Sequence, residues 1–133
     1  MNSFIMMDAN NLKTINDTLG HNKGDELIIT IAKCMRKAVG HNGQCYRIGG
    51  DEFVIILKNK TAAETEEIIN KVRCEIEFAD KQSDITISVA IGYVWTDTEQ
   101  KNLEDLMQHA DDEMYQDKKK TKENKSKENT HSI

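Results

Sequence analysis

Two adjacent glycines, Gly49 and Gly50, stand between two short apolar runs and are followed at once by two acids, Asp51 and Glu52. The left flank is Gln44-Cys45-Tyr46-Arg47-Ile48 and the right flank is Phe53-Val54-Ile55-Ile56-Leu57. This pattern predicts a β-hairpin with a Gly-Gly turn and acids at its tip. Glycine lets backbone come close to a ligand. Carboxylates beside such a turn can hold a hard cation. Taken alone, the same string also describes an ordinary hairpin with a charged tip.

The rest of the chain supplies a regular alternation of elements. Phe4-Ile5-Met6-Met7 is a continuous apolar run that predicts a buried central strand ending at Asp8. Residues 8–25 are polar and read largely as loop or short helix. From about Asp25, Leu27, Ile28, Ile31, Met35 and Val39 recur at helical spacing, with Gly40 as the stop. After the hairpin, Thr61-Ala62-Ala63-Glu64 resembles a capping box. Ile68, Ile69, Val72 and Ile76 continue that helix. Ile85, Ile87, Val89 and Ile91 alternate with smaller residues and predict a strand. Asn102 is the expected N-cap of a last helix whose apolar face is Leu103, Leu106, Met107, Ala110 and Met114. The order is β-α-β-β-α-β and then a helix. It predicts an α+β fold, an α/β sandwich with a ferredoxin-like βαββαβ core, an antiparallel sheet with helices on one face, and a C-terminal helix. In that topology Asp8 and the acids at 51–52 meet at one edge of the sheet.

The 133 residues suit one domain with a real core. No apolar run approaches membrane-spanning length, and no secretory-type segment opens the chain, so a cytoplasmic location is expected. Cys34, Cys45 and Cys74 lack metal-type pairing and read as reduced thiols. Residues 118–133 carry six lysines against Glu123 and Glu128, a net of +4, so the remainder carries −9 of the total −5. An acidic body argues against nucleic acid as a partner. The expected division is one folded domain over 1–122 and a charged, disordered tail over 123–133.

A second string lies upstream: Asp8-Ala9-Asn10-Asn11-Leu12-Lys13-Thr14-Ile15-Asn16-Asp17, running on through Gly20-His21 to Gly24-Asp25. Together with Arg47-Ile48-Gly49-Gly50-Asp51-Glu52-Phe53 it resembles the two main motifs of the GGDEF family, the diguanylate cyclases, in their correct order. Weaker agreement covers Ser88–Gly92 and Ala110–Lys118.

The resemblance implies an activity in which two GTP molecules condense to cyclic di-GMP with release of pyrophosphate. Each domain holds one GTP and two domains face each other as a homodimer. It implies Mg²⁺ (or Mn²⁺) held by Asp8, the backbone carbonyl of Ala9 and Asp51. Asp51 would also help deprotonate the attacking hydroxyl, with Glu52 assisting metal or backbone organisation. Asn16 and Asp25 match positions that read guanine, while Gly49 and Gly50 would let backbone approach the phosphates. Lys13, Lys118 and Lys122 would contact phosphate. Without the resemblance, Asp8 reads as a strand-end cap, Asn16 as a turn residue, Asp25 as a helix N-cap and the lysines as solvated charges.

The chain also departs from the family pattern. Asn10 stands where an acid is common, and Lys122 where an arginine is usual, which keeps the charge and loses the bidentate geometry. The Arg-x-x-Asp product-inhibition motif is absent; Gly40-His41-Asn42-Gly43 takes its place. The Leu-Thr-Gly-Leu-type motif of an earlier helix is absent too. The expectation is therefore a fragment of a longer protein or a shortened domain, with any regulatory or sensor domain outside this chain. Besides the cyclase, the residues admit a degenerate module that binds GTP or a protein partner without turnover.

Overall fold

The computed structural model describes the backbone of residues 2–97 and 103–131 and the side chains of 2–97 and 104–120. Strand β1 (Asn2–Ala9) leads into helices α1 (Leu12–Leu19) and α2 (His21–Val39) and a single 3₁₀ turn (Gly40–Asn42). Strands β2 (Gly43–Arg47) and β3 (Glu52–Lys58) follow, then α3 (Ala62–Gln82), β4 (Val89–Thr96) and α4 (Leu103–His131). The strands lie in the order β2-β3-β1-β4, all antiparallel. This is the ferredoxin-like arrangement expected from the order of elements.

The strand period of two divides β1 between two layers. Ile5, Met7 and Ala9 enter the main core with Leu27, Ile31, Ile55, Leu57 and Val72 from α2, β3 and α3. Ile5 and Met7 are completely buried, and full burial of such a side chain stabilises the fold by about 1.5–3 kcal/mol. Phe4 and Met6 face the other way and pack with Val54, Ala90, Val94, Ala110 and Met114. Helix α4 thus covers the second face of the sheet, chiefly over β4 and β1. The expectation of helices on one face holds only for α2 and α3.

Gly92 decides how closely α4 approaches. A methyl group there would lie 2.1 Å from the Met114 nitrogen and 2.2 Å from the Ala110 oxygen. Only a residue without Cβ admits the helix at that distance.

Several boundaries differ from those expected. Helix α2 begins at His21 with Gly20 as its N-cap residue, so Asp25 lies inside the helix rather than capping it. Part of 8–25 folds as α1. The Thr61 capping box forms in full, with Glu64 N donating to Thr61 Oγ1 and Thr61 N to Glu64 Oε1, each at 3.1 Å.

The alternation at 85–91 starts before the strand does. Ile85 and Ile87 are buried, but β1 ends opposite Val89 and the pairing runs one step further, through Asn10 N to Ser88 O, so the backbone before Ser88 lies past the end of β1. The amides of Ile85 and Ile87 bond instead to Ser83 Oγ and Asp80 Oδ1. Asn102 lies outside the described residues. The α4 backbone is helical through 123–131. Its lysines and glutamates are good helix formers, and no glycine or proline stops the run.

Candidate functional site

The even-numbered positions of β1 face α4, and the last of them is Asp8. Its cross-strand partners are Glu52 at the start of β3 and Ala90 on β4. The tip of the hairpin is tied to the same place: Ala9 N donates to Asp51 O at 2.8 Å. Asp8, Ala9, Asp51 and Glu52 therefore meet at one end of the sheet, as the topology required.

The hairpin itself is built from a three-residue tip. Ile48 N donates to Glu52 O at 3.0 Å, leaving Gly49, Gly50 and Asp51 between them. Arg47 clamps the tip by donating to Gly49 O at 3.1 Å and Gly50 O at 2.7 Å. Neither Gly49 nor Gly50 adopts positive φ, so a two-residue primed turn is not what selects them. A Cβ at Gly50 would meet nothing within 4 Å. The backbone there is open to an approaching group, which is the second reason a chain uses glycine.

Asp8 is 8% exposed. Lys118 Nζ donates to its Oδ2 at 3.1 Å, whereas its Oδ1 is buried without a hydrogen-bond partner. Burial pushes the Asp8 carboxyl up to about 6, against the pull of Lys118 and with a further upward push from the Asp51 charge. A buried carboxylate with a free oxygen next to a second acid is short of positive charge. That is the condition a divalent cation would relieve.

Among the described residues, no three acids, histidines or cysteines cluster closely enough to make a ready-built metal site. A cation here would take its remaining ligands from backbone carbonyl, phosphate and water. Mg²⁺ suits that arrangement, because it commonly uses one or two carboxylates and keeps several waters. The residues present fit such an ion.

A cleft of about 390 Å³ opens beside Asp8, lined also by Glu52, Asp111, Asp112, Tyr115, Lys118 and Lys119. Lys119 Nζ lies 5.2 Å from the centre of the Tyr115 ring. Sequence reasoning singled out Lys118 here and missed Asp111, Asp112 and Lys119. Their signal was weak, since charged residues on an exposed helix face carry no periodicity of their own. Only the position of α4 over β1 gives them a role.

Asn16 and Asp25 form a second group on the two N-terminal helices. Helices α1 and α2 cross at Gly24, where an added Cβ would sit 1.7 Å from Asn16 Oδ1. The Asn16 carboxamide therefore lies directly on Gly24, the residue before Asp25 in the sequence. Asp25 is exposed and Asn16 half-buried. Lys13 is exposed in the first turn of α1. The side chain of Lys122 lies outside the described residues.

Asn10 is the unexpected member. It is 5% exposed, its Nδ2 donates to Ser88 Oγ at 2.9 Å, and its Oδ1 is buried without a partner. The amide ties the end of β1 to the approach to β4 without adding a charge beside Asp8.

Comparison with known proteins identifies the family and agrees with the fold. The family model "Diguanylate cyclase, GGDEF domain" matches residues 1–124. The chain is 38% identical over 120 residues to the signaling protein YkoW of Bacillus subtilis, covering 87% of this chain and 15% of that protein. It is 32% identical over 117 residues to the diguanylate cyclase DosC of Escherichia coli, covering 85% of this chain and 25% of that protein. The active GGEEF domain of a diguanylate cyclase from Vibrio cholerae superposes with a TM-score of 0.79 at 27% identity, covering 90% of this chain and 77% of that one. An EAL/GGDEF domain protein from M. capsulatus gives 0.77 at 33% identity, with 90% and 79% covered. The chain thus spans a quarter or less of the two curated relatives named here.

Proposed function

The chain belongs to the GGDEF domain family, and from that premise we propose that it is a diguanylate cyclase domain that condenses two GTP molecules into cyclic di-GMP. The observation that carries this reading is Asp8, a buried carboxylate with an unpartnered oxygen, held against the Gly49–Glu52 tip. Such a group is poorly suited to a purely structural task, because an unsatisfied buried acceptor costs about 1–3 kcal/mol.

Each residue has work to do in the reaction. Asp8, Asp51 and the carbonyl of Ala9 would hold a divalent cation, which when bound would make the attacking 3′-hydroxyl more acidic and offset charge on the phosphates. Asp51 receives the proton of that hydroxyl at the hairpin tip, with Glu52 organising the tip beside it. The open backbone at Gly49 and Gly50 lets the phosphates approach. Lys118 supplies positive charge at the cleft, joined by Lys122 and Lys13 on the phosphate side. Asn16 and Asp25 read guanine: the carboxylate accepts from N1–H and the exocyclic amine, a pattern adenine does not offer. Two copies face each other so that one nucleotide attacks the α-phosphorus of the other, and in-line positioning supplies much of the rate. A regulatory domain outside this chain sets how the two copies meet. The site works in the cytoplasm, where GTP and Mg²⁺ are at hand, and no described helix is long and apolar enough to cross a membrane.

The test is to incubate the purified protein with GTP and Mg²⁺ and to separate the nucleotides by chromatography. Cyclic di-GMP is expected from the wild type and none from a folded Asp51→Ala variant. Synthesis retained by that variant overturns the mechanism. A second reading is supported by the neutral Asn10 beside Asp8. It is a module that binds GTP, or a protein partner, without turnover. GTP binding by the wild type with no pyrophosphate released favours that second reading.

A further inference from the structure

Helix α4 holds Lys118 at Asp8, yet its apolar grip on the sheet ends early. Ala110 and Met114 are its buried anchors, and from Tyr115 to Lys120 every residue is exposed or only half-buried. Rotation about the close crossing at Gly92 would carry position 118 away from the strand end. Something polar must fix the helix beyond Met114.

The outer edge of β4 provides the fixed point. In an antiparallel ladder, residues alternate between exchanging hydrogen bonds with the partner strand and pointing them outward. Asn10 N bonds to Ser88 O, so the even-numbered residues of β4 exchange with β1. The Ile91 N–H therefore points outward, where an edge strand leaves an open donor. Asp117 Oδ2 accepts from Ile91 N at 2.8 Å. The same oxygen lies 3.6 Å from Arg73 Nη2 on α3. Asp117 thus joins α4 to the sheet edge and to the opposite helical layer at once. The next residue is Lys118, at 3.1 Å from Asp8 Oδ2. Successive helix residues are about 100° apart around the axis, so fixing 117 on the edge fixes where 118 points.

We infer that Asp117 is a positioning residue, a latch between α4 and the edge of β4 that holds the Lys118 ammonium at Asp8 for the nucleotide phosphates. A carboxylate suits the latch because one oxygen can take a backbone N–H and a guanidinium together. The consequence for substrate rests on the cyclase reading above; the geometry of the latch does not.

The experiment uses two readouts on the full chain. One is the affinity for the α,β-methylene analogue of GTP with Mg²⁺, which binds without reacting. The other is the rate of reductive methylation of Lys118, followed by mass spectrometry with no nucleotide present. Asp117→Ala is expected to weaken analogue binding about tenfold and to speed Lys118 methylation several-fold. Asp117→Asn keeps an oxygen acceptor for Ile91 N–H and is expected to recover most of both, which also guards against a variant that merely misfolds. In a Lys118→Ala background, Asp117→Ala is expected to add nothing to the loss of affinity. Wild-type values for Asp117→Ala on both readouts overturn the inference, as does a full additional loss on top of Lys118→Ala. A wild type that does not bind the analogue overturns the nucleotide reading and the substrate consequence with it. Lys118 methylation unchanged by Asp117→Ala overturns the latch in either case.

Discussion

The two ends of strand β1 bury polar side chains under opposite rules. Near its start, Ser3 is 2% exposed and its Oγ pairs with Thr65 Oγ1 at 2.6 Å. Thr65 is itself completely buried and donates onward to Thr61 O at 2.9 Å. Nothing at that end is left over. At the other end, roughly 17 Å along the strand, Asp8 keeps one buried oxygen without a partner and its carboxyl rises to about 6. Asn10 beyond it repeats the pattern. The first end is arranged for stability alone. The second accepts a stability cost to keep an under-neutralised carboxylate in a fixed place, which is where a site that binds cations and phosphates would be found.

The sharpest way to break this contrast is Asp8→Asn. It removes the charge and keeps the shape. Cyclic di-GMP synthesis is expected to fall at least about 100-fold, the scale for losing a group that acts on the charged transition state. The thermal midpoint at pH 7 is expected to rise rather than fall, since the penalty of ionising a buried group disappears. Loss of both activity and stability would place Asp8 with Ser3 as a structural residue.

The same asymmetry has a pH signature. Asp8 titrates near 6 in the fold and near 3.8 when unfolded, so between those values the folded state binds more protons. Stability is then highest below about pH 4 as far as this group is concerned and is lost as pH rises through 6. The loss is on the order of 2 kcal/mol. Denaturant unfolding from pH 4 to 7 should show it in the wild type, and Asp8→Asn should remove that part of the slope. Millimolar Mg²⁺ should shrink it, because a bound cation favours the ionised form. A slope unaffected by Asp8→Asn would assign the titration to another group.

The opposite end of β1 gives the complementary measurement. Thr65→Val preserves volume but strands the buried Ser3 hydroxyl. Stability is expected to drop by about 1–3 kcal/mol, with synthesis per folded molecule unchanged. An altered KM for GTP in that variant would mean that the two ends are coupled through the sheet.

How much of this was legible in the sequence depended on whether the signal was local. The hairpin, the capping box at Thr61 and the apolar face of α2 announce themselves within a few residues, and each formed. The convergence of Asp8 with Asp51 and Glu52 followed from the order of elements, because antiparallel pairing of the first strand with the hairpin leaves little choice. What escaped was set by long-range packing. The strand at 89–96 starts later than its alternation because β1 runs out opposite Val89. Asp25 resembles a cap because the apolar period of α2 begins only at Leu27, whereas the helix itself starts at His21 after Gly20. The place of α4 on the second face depends on Gly92, whose meaning appears only when a helix backbone lies against it. Asp117 carries no motif at all; it matters because an edge-strand amide happens to face it.

The smallest expected effect tests whether the well-satisfied end is as ordinary as it looks. Thr61 caps α3, accepting from Glu64 N while its own carbonyl receives the Thr65 hydroxyl. Thr61→Ala removes the side-chain cap and leaves that carbonyl in place. The cost should be about 1 kcal/mol, the usual value for an N-cap, read as a shift of the denaturant midpoint at constant m. Glu64 should lose part of what holds its carboxyl below the usual range, since the Thr61 backbone and side-chain bonds are the causes of that shift. Because the cap lies at the far end of the sheet from Asp8, the pH slope assigned to Asp8 should survive unchanged in the variant. A slope that changed with the cap would show that the two ends of β1 do not titrate and fold independently, and the division of labour drawn between them would fail.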